Sequence, residues 1–162
     1  MRYWTVGGGI IERGQELLLV CNRRRNGSID WTTPGGVIDE GESVLGGLSR
    51  EVTEETGLTV GSWPRHLYTV TVYAPDLGWN LTAEVHLGQD ISGDIHVDDP
   101  DGIVEEARWV GKDECETLCS ANQRWLSEPL GDWLDDRWDD GTRRYDYHLA
   151  GSRRESFVVT RT

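Results

Sequence analysis

One segment, from Gly36 to Leu58, restricts the fold of this chain more than any other part of its sequence. It begins with a glycine-rich loop and continues with residues that repeat at the period of a helix. Ser43 is placed to cap the amino end of that helix. Gly57 follows the last turn, where a glycine supplies the left-handed conformation that ends many helices. The spacing therefore predicts a helix over residues 43–56.

The predicted helix has an apolar stripe. Val44, Leu48 and Val52 recur every four residues, and Leu45 lies beside them, so we expect this side to pack on a core. Gly46-Gly47 interrupts the first turns, and each glycine costs about 1 kcal/mol relative to alanine in a helix. We expect this pair either to soften the start of the helix or to permit a close packing contact.

Three carboxylates lie next to this stripe. At about 100° per residue, Glu51, Glu54 and Glu55 fall within a sector of about 120° on one side of the helix. Like charges at this spacing repel, and Arg50, four residues before Glu54, can neutralise one of them. One interpretation is a solvated acidic surface. The other is that the remaining charge binds a hard divalent cation through oxygen ligands, Mg²⁺ or Mn²⁺.

The spacing around these carboxylates decides between the two interpretations. It follows the pattern G-x5-E-x7-R-E-U-x-E-E-x-G-U, where U is a bulky aliphatic residue, and this arises by chance with a probability on the order of 10⁻⁹ per start position. The pattern resembles the Nudix box of the Nudix hydrolase family. The matching residues are Gly36, Glu42, Arg50, Glu51, Val52, Glu54, Glu55, Gly57 and Leu58. Trp31–Gly36 and Glu105–Val110 also look like family segments, so the resemblance extends to about Leu118.

Strands and helices alternate irregularly along the chain, which indicates an α+β fold packed in layers. Strands are predicted over Tyr3–Ile11, Glu16–Arg23, His66–Ala74, Asn80–Gly88 and Ala107–Val110, further helices over Lys112–Leu118 and Asn122–Trp138, and a hairpin over Arg143–Thr160. The resemblance implies a Nudix-type α/β/α sandwich with a mixed β-sheet. We expect a single domain over residues 1–162, in which residues 119–162 form a helical and hairpin extension packed on it.

The resemblance also implies a chemistry, the hydrolysis of a pyrophosphate bond, and a role for each residue of the box. Glu54 and Glu55 would be the main metal ligands, and Glu51 a third ligand or the base that activates water. The backbone carbonyl of Gly35 would be a further ligand. Arg50 would orient the carboxylates, and Glu42 would anchor the loop or reach a second ion.

Other candidates come from outside the box. An additional base or ligand is expected at Glu105, at Glu106 or at an aspartate of the loop Asp98–Asp101, with a plain acidic surface as the alternative for each. In the basic run Arg23-Arg24-Arg25, we single out Arg23 and Arg25 as contacts for substrate phosphates. Trp31 would either stack on a nucleobase or pack at the rim of the core.

Three functions remain open. The first is the hydrolysis of a nucleoside diphosphate linked to another moiety, with ADP-ribose or a nucleotide sugar slightly favoured over other compounds. The second is a nucleoside triphosphate pyrophosphatase that removes damaged nucleotides. The third belongs to another class, a Nudix-fold sensor that binds nucleotides without turning them over. The intact set of carboxylates favours an enzyme.

Composition restricts the partners. The net charge of −13, from 29 acidic and 16 basic residues, argues against broad binding of nucleic acids or anionic membranes. No apolar run approaches the roughly 20 residues that span a bilayer, and three cysteines suit a reducing cytosol. We therefore expect a cytoplasmic protein with a small-molecule nucleotide as its partner. The tryptophan-rich segment near the carboxyl end is expected to dock on the core, with a homodimer contact or a lid over the substrate as alternatives.

Overall fold

The computed structural model of the protein describes residues 1–162. It contains three helices, α1 (Val44–Thr56), α2 (Lys112–Leu118) and α3 (Arg124–Asp136). None of them is long and apolar enough to cross a membrane. The strands are β1 (Arg2–Ile10), β2 (Glu12–Arg13), β3 (Glu16–Arg23), β4 (Ile29–Thr32), β5 (Gly35–Val37), β6 (Thr59–Ala74), β7 (Trp79–Ser92), β8 (Val104–Val110), β9 (Arg143–Ala150) and β10 (Val158–Arg161).

The strands form two sheets. The first has six strands in the order β10-β9-β6-β7-β1-β5, and it is mixed because β1 pairs with β7, and β6 with β9, in parallel. The second is antiparallel, and in it β3 pairs with β2, β4 and β8. The predicted α+β class with a mixed sheet is therefore confirmed.

Strand β3 lies between two hydrophobic clusters. Leu17 and Leu19 belong to the larger cluster, which includes residues of α2 and α3, whereas Leu18 belongs to the smaller cluster that α1 covers. Successive side chains of a strand point to opposite faces, so this strand needs apolar residues on both. The continuous run Leu17–Cys21 follows from that burial. Helices thus cover both sides of the sheets, as an α/β/α sandwich requires.

Helix α1 begins and ends where its sequence signals lie. The hydroxyl of Ser43 accepts a hydrogen bond from the backbone N–H of Gly46 at 3.0 Å, and Gly57 ends the helix with φ 81°. Leu48 and Val52 are fully buried. Leu45, however, is 38% exposed, so the buried stripe is narrower than the sequence predicts.

Close packing explains the second glycine of the Gly46-Gly47 pair. A Cβ atom on Gly47 would lie 2.8 Å from Cδ1 of Ile38 and 3.1 Å from Oε1 of Glu42. The loop before the helix therefore rests directly on the backbone of the first turn. Of the two expectations for this pair, the structure supports the close packing contact.

The carboxyl-terminal residues extend the main layers of the fold. Trp133 of α3 is buried in the larger cluster, in edge-on contact with Trp138, whose indole N–H donates to the carbonyl of Leu67 at 3.1 Å. After α3, strand β9 joins the six-stranded sheet beside β6, and β10 forms its outer edge. The predicted hairpin over Arg143–Thr160 corresponds to β9 and β10. The limits of the domain stay a prediction.

Two leucines of α1 provide a test of how this helix packs. Leu48→Ala is expected to lower the free energy of unfolding by about 2–5 kcal/mol, because it opens a cavity in the smaller cluster. Leu45→Ala, on the exposed side of the same helix, should change it by no more than about 0.5 kcal/mol. Urea denaturation followed by tryptophan fluorescence measures both. Equal losses would contradict the orientation of α1.

Candidate active site

A cleft of about 760 Å³ contains the residues that carry chemistry. One part of its wall is charged and comes from α1 and the loops around residues 33–39 and 99–101. The other part is apolar and comes from β6, β7 and α3. Its apolar residues include Tyr68, Val70, Leu81, Trp125 and Leu130. A cleft with one charged side and one apolar side suits a ligand that carries both a highly charged group and a flat or apolar group.

Two glycines at the start of β5 allow its backbone to approach both β1 and α1 closely. A Cβ atom on Gly35, whose φ is 155°, would lie only 2.0 Å from the carbonyl oxygen of Gly7 in β1. A Cβ atom on Gly36 would lie 2.7 Å from the carboxyl carbon of Glu51. Only glycine fits at either position without moving the loop away from α1. The backbone of β5 is therefore in contact with the carboxylates of the helix.

Arg50 holds the loop and the helix together. Its guanidinium donates two hydrogen bonds to Glu42, at 2.8 and 2.9 Å, and one each to Glu51 and Glu54 at 3.2 Å. The bonds from Arg50 lower the pKa of Glu42 to about 2. These bonds connect Glu42 in the loop before α1 with Glu51 and Glu54 on the helix. Arg50 therefore compensates part of the negative charge and sets the spacing of the carboxylates.

Glu55 is the one box glutamate on α1 that forms no ion pair. Its side chain is 7% exposed, and one carboxylate oxygen accepts a hydrogen bond from the backbone N–H of Gly35 at 2.8 Å. Burial raises the pKa of Glu55 to about 8, and the nearby charges of Glu51 and Asp99 act in the same direction. Burial also raises the pKa of Glu51. Uncompensated buried carboxylates that face a cleft are suited to bind a divalent cation.

A model of the NUDIX domain matches residues 1–130 of the chain, and these residues include the whole charged part of the cleft. The chain belongs to the Nudix family. This confirms the family and enzyme class, a Nudix-type pyrophosphohydrolase, that the sequence predicts. Members of this family generally use divalent metal ions.

Solved structures of other Nudix proteins share this fold. A MutT Nudix hydrolase from Burkholderia pseudomallei is 26% identical, with a TM-score of 0.67 over 80% of this chain and 99% of that one. A mutator MutT protein from Bacillus halodurans is 22% identical, with a TM-score of 0.68 over 98% and 97%. An ADP-ribose pyrophosphatase from Streptococcus suis is 19% identical, with a TM-score of 0.59 over 87% and 98%. No curated protein matches the sequence significantly.

The box residues predicted to act together are brought together. Glu51, Glu54, Glu55, Arg50 and Gly35 all line the cleft. The predictions made outside the box fare differently, and five of those residues lie outside the cleft. These are Arg23, Arg25, Trp31, Glu105 and Glu106.

The contacts of four of these five residues explain their positions. Arg23 and Glu105 form an exposed ion pair with each other, and Glu106 pairs with Arg108 at 2.9 Å. The same Arg108 guanidinium covers the ring of Trp31 at 4.9 Å from its centroid. Trp31 packs on the edge of the larger cluster. Of its two predicted roles, the structure shows the packing one.

Alternation along β3 selects the residues that sequence reasoning missed. Asn22 and Arg24 line the cleft, whereas Arg23 between them faces away. Arg24 donates two hydrogen bonds to Asp30, at 2.7 and 2.9 Å, and Asn22 donates to both Asp30 and Thr32. The two-residue period of the strand indicates that Arg23 and Arg24 face opposite sides, but not which of the two faces the cleft.

The loop after β7 supplies two further acidic residues to the cleft, Asp99 and Asp101. Asp99 accepts hydrogen bonds from the backbone N–H groups of Asp101, Ile103 and Val104, at 2.9 to 3.2 Å. Its carboxylate therefore shapes the loop. Asp101, which follows it on the same loop, is the exposed acid that this turn presents to the cleft.

The buried charge of Glu55 predicts a pH dependence in the metal-free protein. Because its folded-state pKa is above the ordinary 4.5, Glu55 contributes stability that is complete below about pH 4.5 and lost as the pH rises through about 8. In EDTA, Glu55→Gln should therefore gain stability relative to the wild type between pH 5 and pH 8, by at most about 1.4 kcal/mol per pH unit. Glu40→Gln, at an exposed position of the preceding loop, is the control and should show a constant difference. A Glu55→Gln difference that stays constant with pH would contradict the buried charge.

Proposed function

We propose that this protein hydrolyses a pyrophosphate bond in a nucleoside diphosphate linked to another moiety, with ADP-ribose or a nucleotide sugar as the favoured substrate type. The observation that carries the proposal is the group of three carboxylates on α1, in which Glu55 is buried without an ion pair and Glu51 and Glu54 share the single guanidinium of Arg50. These residues lie in one cleft with an apolar wall. The cleft volume falls within the range of ligand sites that enclose most of a small molecule.

The donor set fits a divalent metal ion of the hard type. Glu51, Glu54 and Glu55 would hold Mg²⁺, or Mn²⁺ in its place, together with the backbone carbonyl of Gly35. Glu55 fits this role best because it is buried without an ion pair. A bound Mg²⁺ would screen the charge of the diphosphate and lower the pKa of the attacking water.

The remaining groups of the chain position the reactants. Arg50 would keep Glu51 and Glu54 apart at a set distance, which preserves the site when the ion leaves. Glu51, which faces the cleft and has a raised pKa, would serve as a third ligand or accept the proton of the water. For the additional acidic group we propose Asp101, because it lines the cleft, whereas neither Glu105 nor Glu106 does.

Substrate recognition would use Arg24 and the apolar wall. The guanidinium of Arg24 is already oriented by Asp30, and it lines the same cleft as the carboxylates, so it is placed to bind a phosphate group. Trp125, which is partly exposed, offers a flat surface on the other wall. An aromatic face of this kind stacks on any nucleobase.

A nucleoside triphosphate pyrophosphatase is the second candidate. The chain is similar to the MutT Nudix hydrolase from Burkholderia pseudomallei, which supports this candidate. The same carboxylates would serve either reaction. The two activities differ in their products. A linked diphosphate gives a nucleoside monophosphate and a second phosphorylated compound, whereas a triphosphate gives a nucleoside monophosphate and inorganic pyrophosphate.

We also propose a cytoplasmic location. All three cysteines, Cys21, Cys115 and Cys119, are buried and free of disulfide bonds. This state is typical of proteins that work in a reducing compartment.

A substrate panel with Mg²⁺ tests the proposed activity. Phosphate release coupled to a phosphomonoesterase should detect ADP-ribose or nucleotide-sugar cleavage, and coupling to inorganic pyrophosphatase should detect triphosphate cleavage instead. Glu54→Gln should lower kcat/KM at least about 100-fold, because a direct ligand should cost no less than its outer-sphere partners, whose loss costs 10–100-fold. Glu114→Gln, an exposed glutamate on α2, is the matched control. Nucleotide binding without turnover of any compound would instead support the sensor alternative.

The basic run offers a matched pair for substrate binding. Arg24→Ala is expected to lower kcat/KM by roughly 10- to 100-fold through the loss of a charge-assisted bond to phosphate. Arg25→Ala, next to it but outside the cleft, should change kcat/KM by less than about twofold. Circular dichroism would check that both variants fold. Equal effects of the two substitutions would exclude Arg24 as the phosphate contact.

A further inference from the structure

A second cluster of metal-binding groups lies away from the cleft, on strands β6 and β7. Nδ1 of His66, a carboxylate oxygen of Glu84 and Nε2 of His86 all lie within 4.8 Å of one another. The two imidazole rings are stacked, with centroids 4.4 Å apart and planes inclined by 17°. One oxygen of Glu84 is 3.1 Å from His86 Nε2 and 3.9 Å from His66 Nδ1. Three ligand atoms therefore converge on one small volume.

This cluster and the cleft are on opposite faces of the six-stranded sheet. Ala83 and Val85, the neighbours of Glu84 along β7, line the cleft. Side chains alternate along a strand, so those of Glu84 and His86 point to the other face. An ion bound there would not share a ligand with the carboxylates of the Nudix box.

An irregularity in β6 creates the cluster. His66 pairs with His86 and Tyr68 pairs with Val85, so the register shifts between the two pairs and Leu67 is the extra residue of a bulge. In a regular strand, His66 and Thr69 would face opposite sides, because they are three residues apart. The bulge brings them to one face, where Thr69 Oγ1 lies 2.9 Å from His66 Nε2.

The contact with Thr69 orients His66 as outer-sphere groups orient metal-binding histidines. When Nε2 donates its proton to the Thr69 hydroxyl, Nδ1 keeps its lone pair, and this nitrogen lies 3.9 Å from the carboxylate of Glu84. His86 is 8% exposed, whereas about a third of each of the His66 and Glu84 side chains is accessible. One side of the cluster is therefore open for a water ligand.

We propose that His66, Glu84 and His86 bind a Zn²⁺ ion, at a site separate from the carboxylate site of the cleft. Two imidazoles and a carboxylate, with one open position, are a set that Zn²⁺ accepts and Mg²⁺ does not favour. Tetrahedral Zn²⁺ with bonds of about 2.0–2.1 Å places its ligand atoms about 3.3 Å apart. The observed separations reach that value with side-chain shifts of about 1 Å.

The ion would connect two neighbouring strands at their bulge. Glu84 and His86 come from β7 and His66 from β6, so the three ligands cross the longest strand pair of the sheet. Binding to the folded state alone raises the stability of the protein with the concentration of the ion. The site therefore predicts a stabilisation by Zn²⁺ that does not depend on the hydrolase activity.

Titration of the full chain with ZnCl₂ alone tests this site, in a buffer with several millimolar Mg²⁺ to fill the carboxylate site. A chromophoric chelator in competition reports the affinity. The wild type should bind one Zn²⁺ ion, Thr69→Val should bind it about 10- to 100-fold more weakly, and His66→Ala more weakly still. His96→Ala, at an exposed histidine outside the cluster, is the matched control and should bind as the wild type does.

A second measurement keeps the test independent of folding. Zn²⁺ should shift the imidazole NMR signals of His66 and His86 and leave those of His96 and His148 unchanged, and it should raise the Tm of the wild type but not of His66→Ala. Zn²⁺ binding that is as tight in His66→Ala or in Glu84→Gln as in the wild type would overturn the proposal. So would Zn²⁺-induced shifts confined to other residues. Magnesium-dependent hydrolysis should be retained in His66→Ala in either case, which separates this site from the proposed function.

Discussion

The contact between the Gly35-Gly36 backbone and its two neighbours is the constraint on which the rest of this structure depends. On one side the loop lies against β1, close enough that a methyl group on Gly35 would overlap a carbonyl oxygen. On the other side it touches Glu51 and donates a hydrogen bond to Glu55. Sheet, loop and helix therefore meet without intervening side chains. This is how three carboxylates come to be held at the edge of a hydrophobic core.

Charge in the site is divided unequally as a result. Arg50 is bonded to Glu42 in the loop before α1 and to Glu51 and Glu54 on the helix itself. Glu55 lies deeper and has only a backbone N–H as its partner, and its burial raises its pKa to about 8. One part of the acidic group is thus fixed by Arg50, and the other part has no cationic side chain bonded to it.

Local patterns allowed most of the fold and the centre of the site to be predicted from the sequence. Helix α1 is the clearest example, because its caps at Ser43 and Gly57, its apolar period and the spacing of its carboxylates all depend on residues close together in the sequence. The structure contains this helix with both caps. The lining of the cleft depends on contacts far apart in the chain. Whether Arg23 or Arg24 faces the cleft depends on the pairing of β3 with β4 and β8, and the bulge at Leu67 is visible only from the register of β6. These features follow from tertiary packing, for which short patterns have no signal.

The position of α3 has a consequence for the order in which this protein is made. The carboxylate segment is complete once the chain has been synthesised to Leu58, but the part of the apolar wall with Trp125 and Leu130 belongs to α3, which is made much later. That wall is held by Trp133 and Trp138, packed under β9, which must first find its parallel place beside β6. A chain emerging from the ribosome therefore contains the carboxylates of α1 before it contains the α3 side of the cleft. The cleft therefore has both of its walls only after α3 has been synthesised and has packed on the sheet.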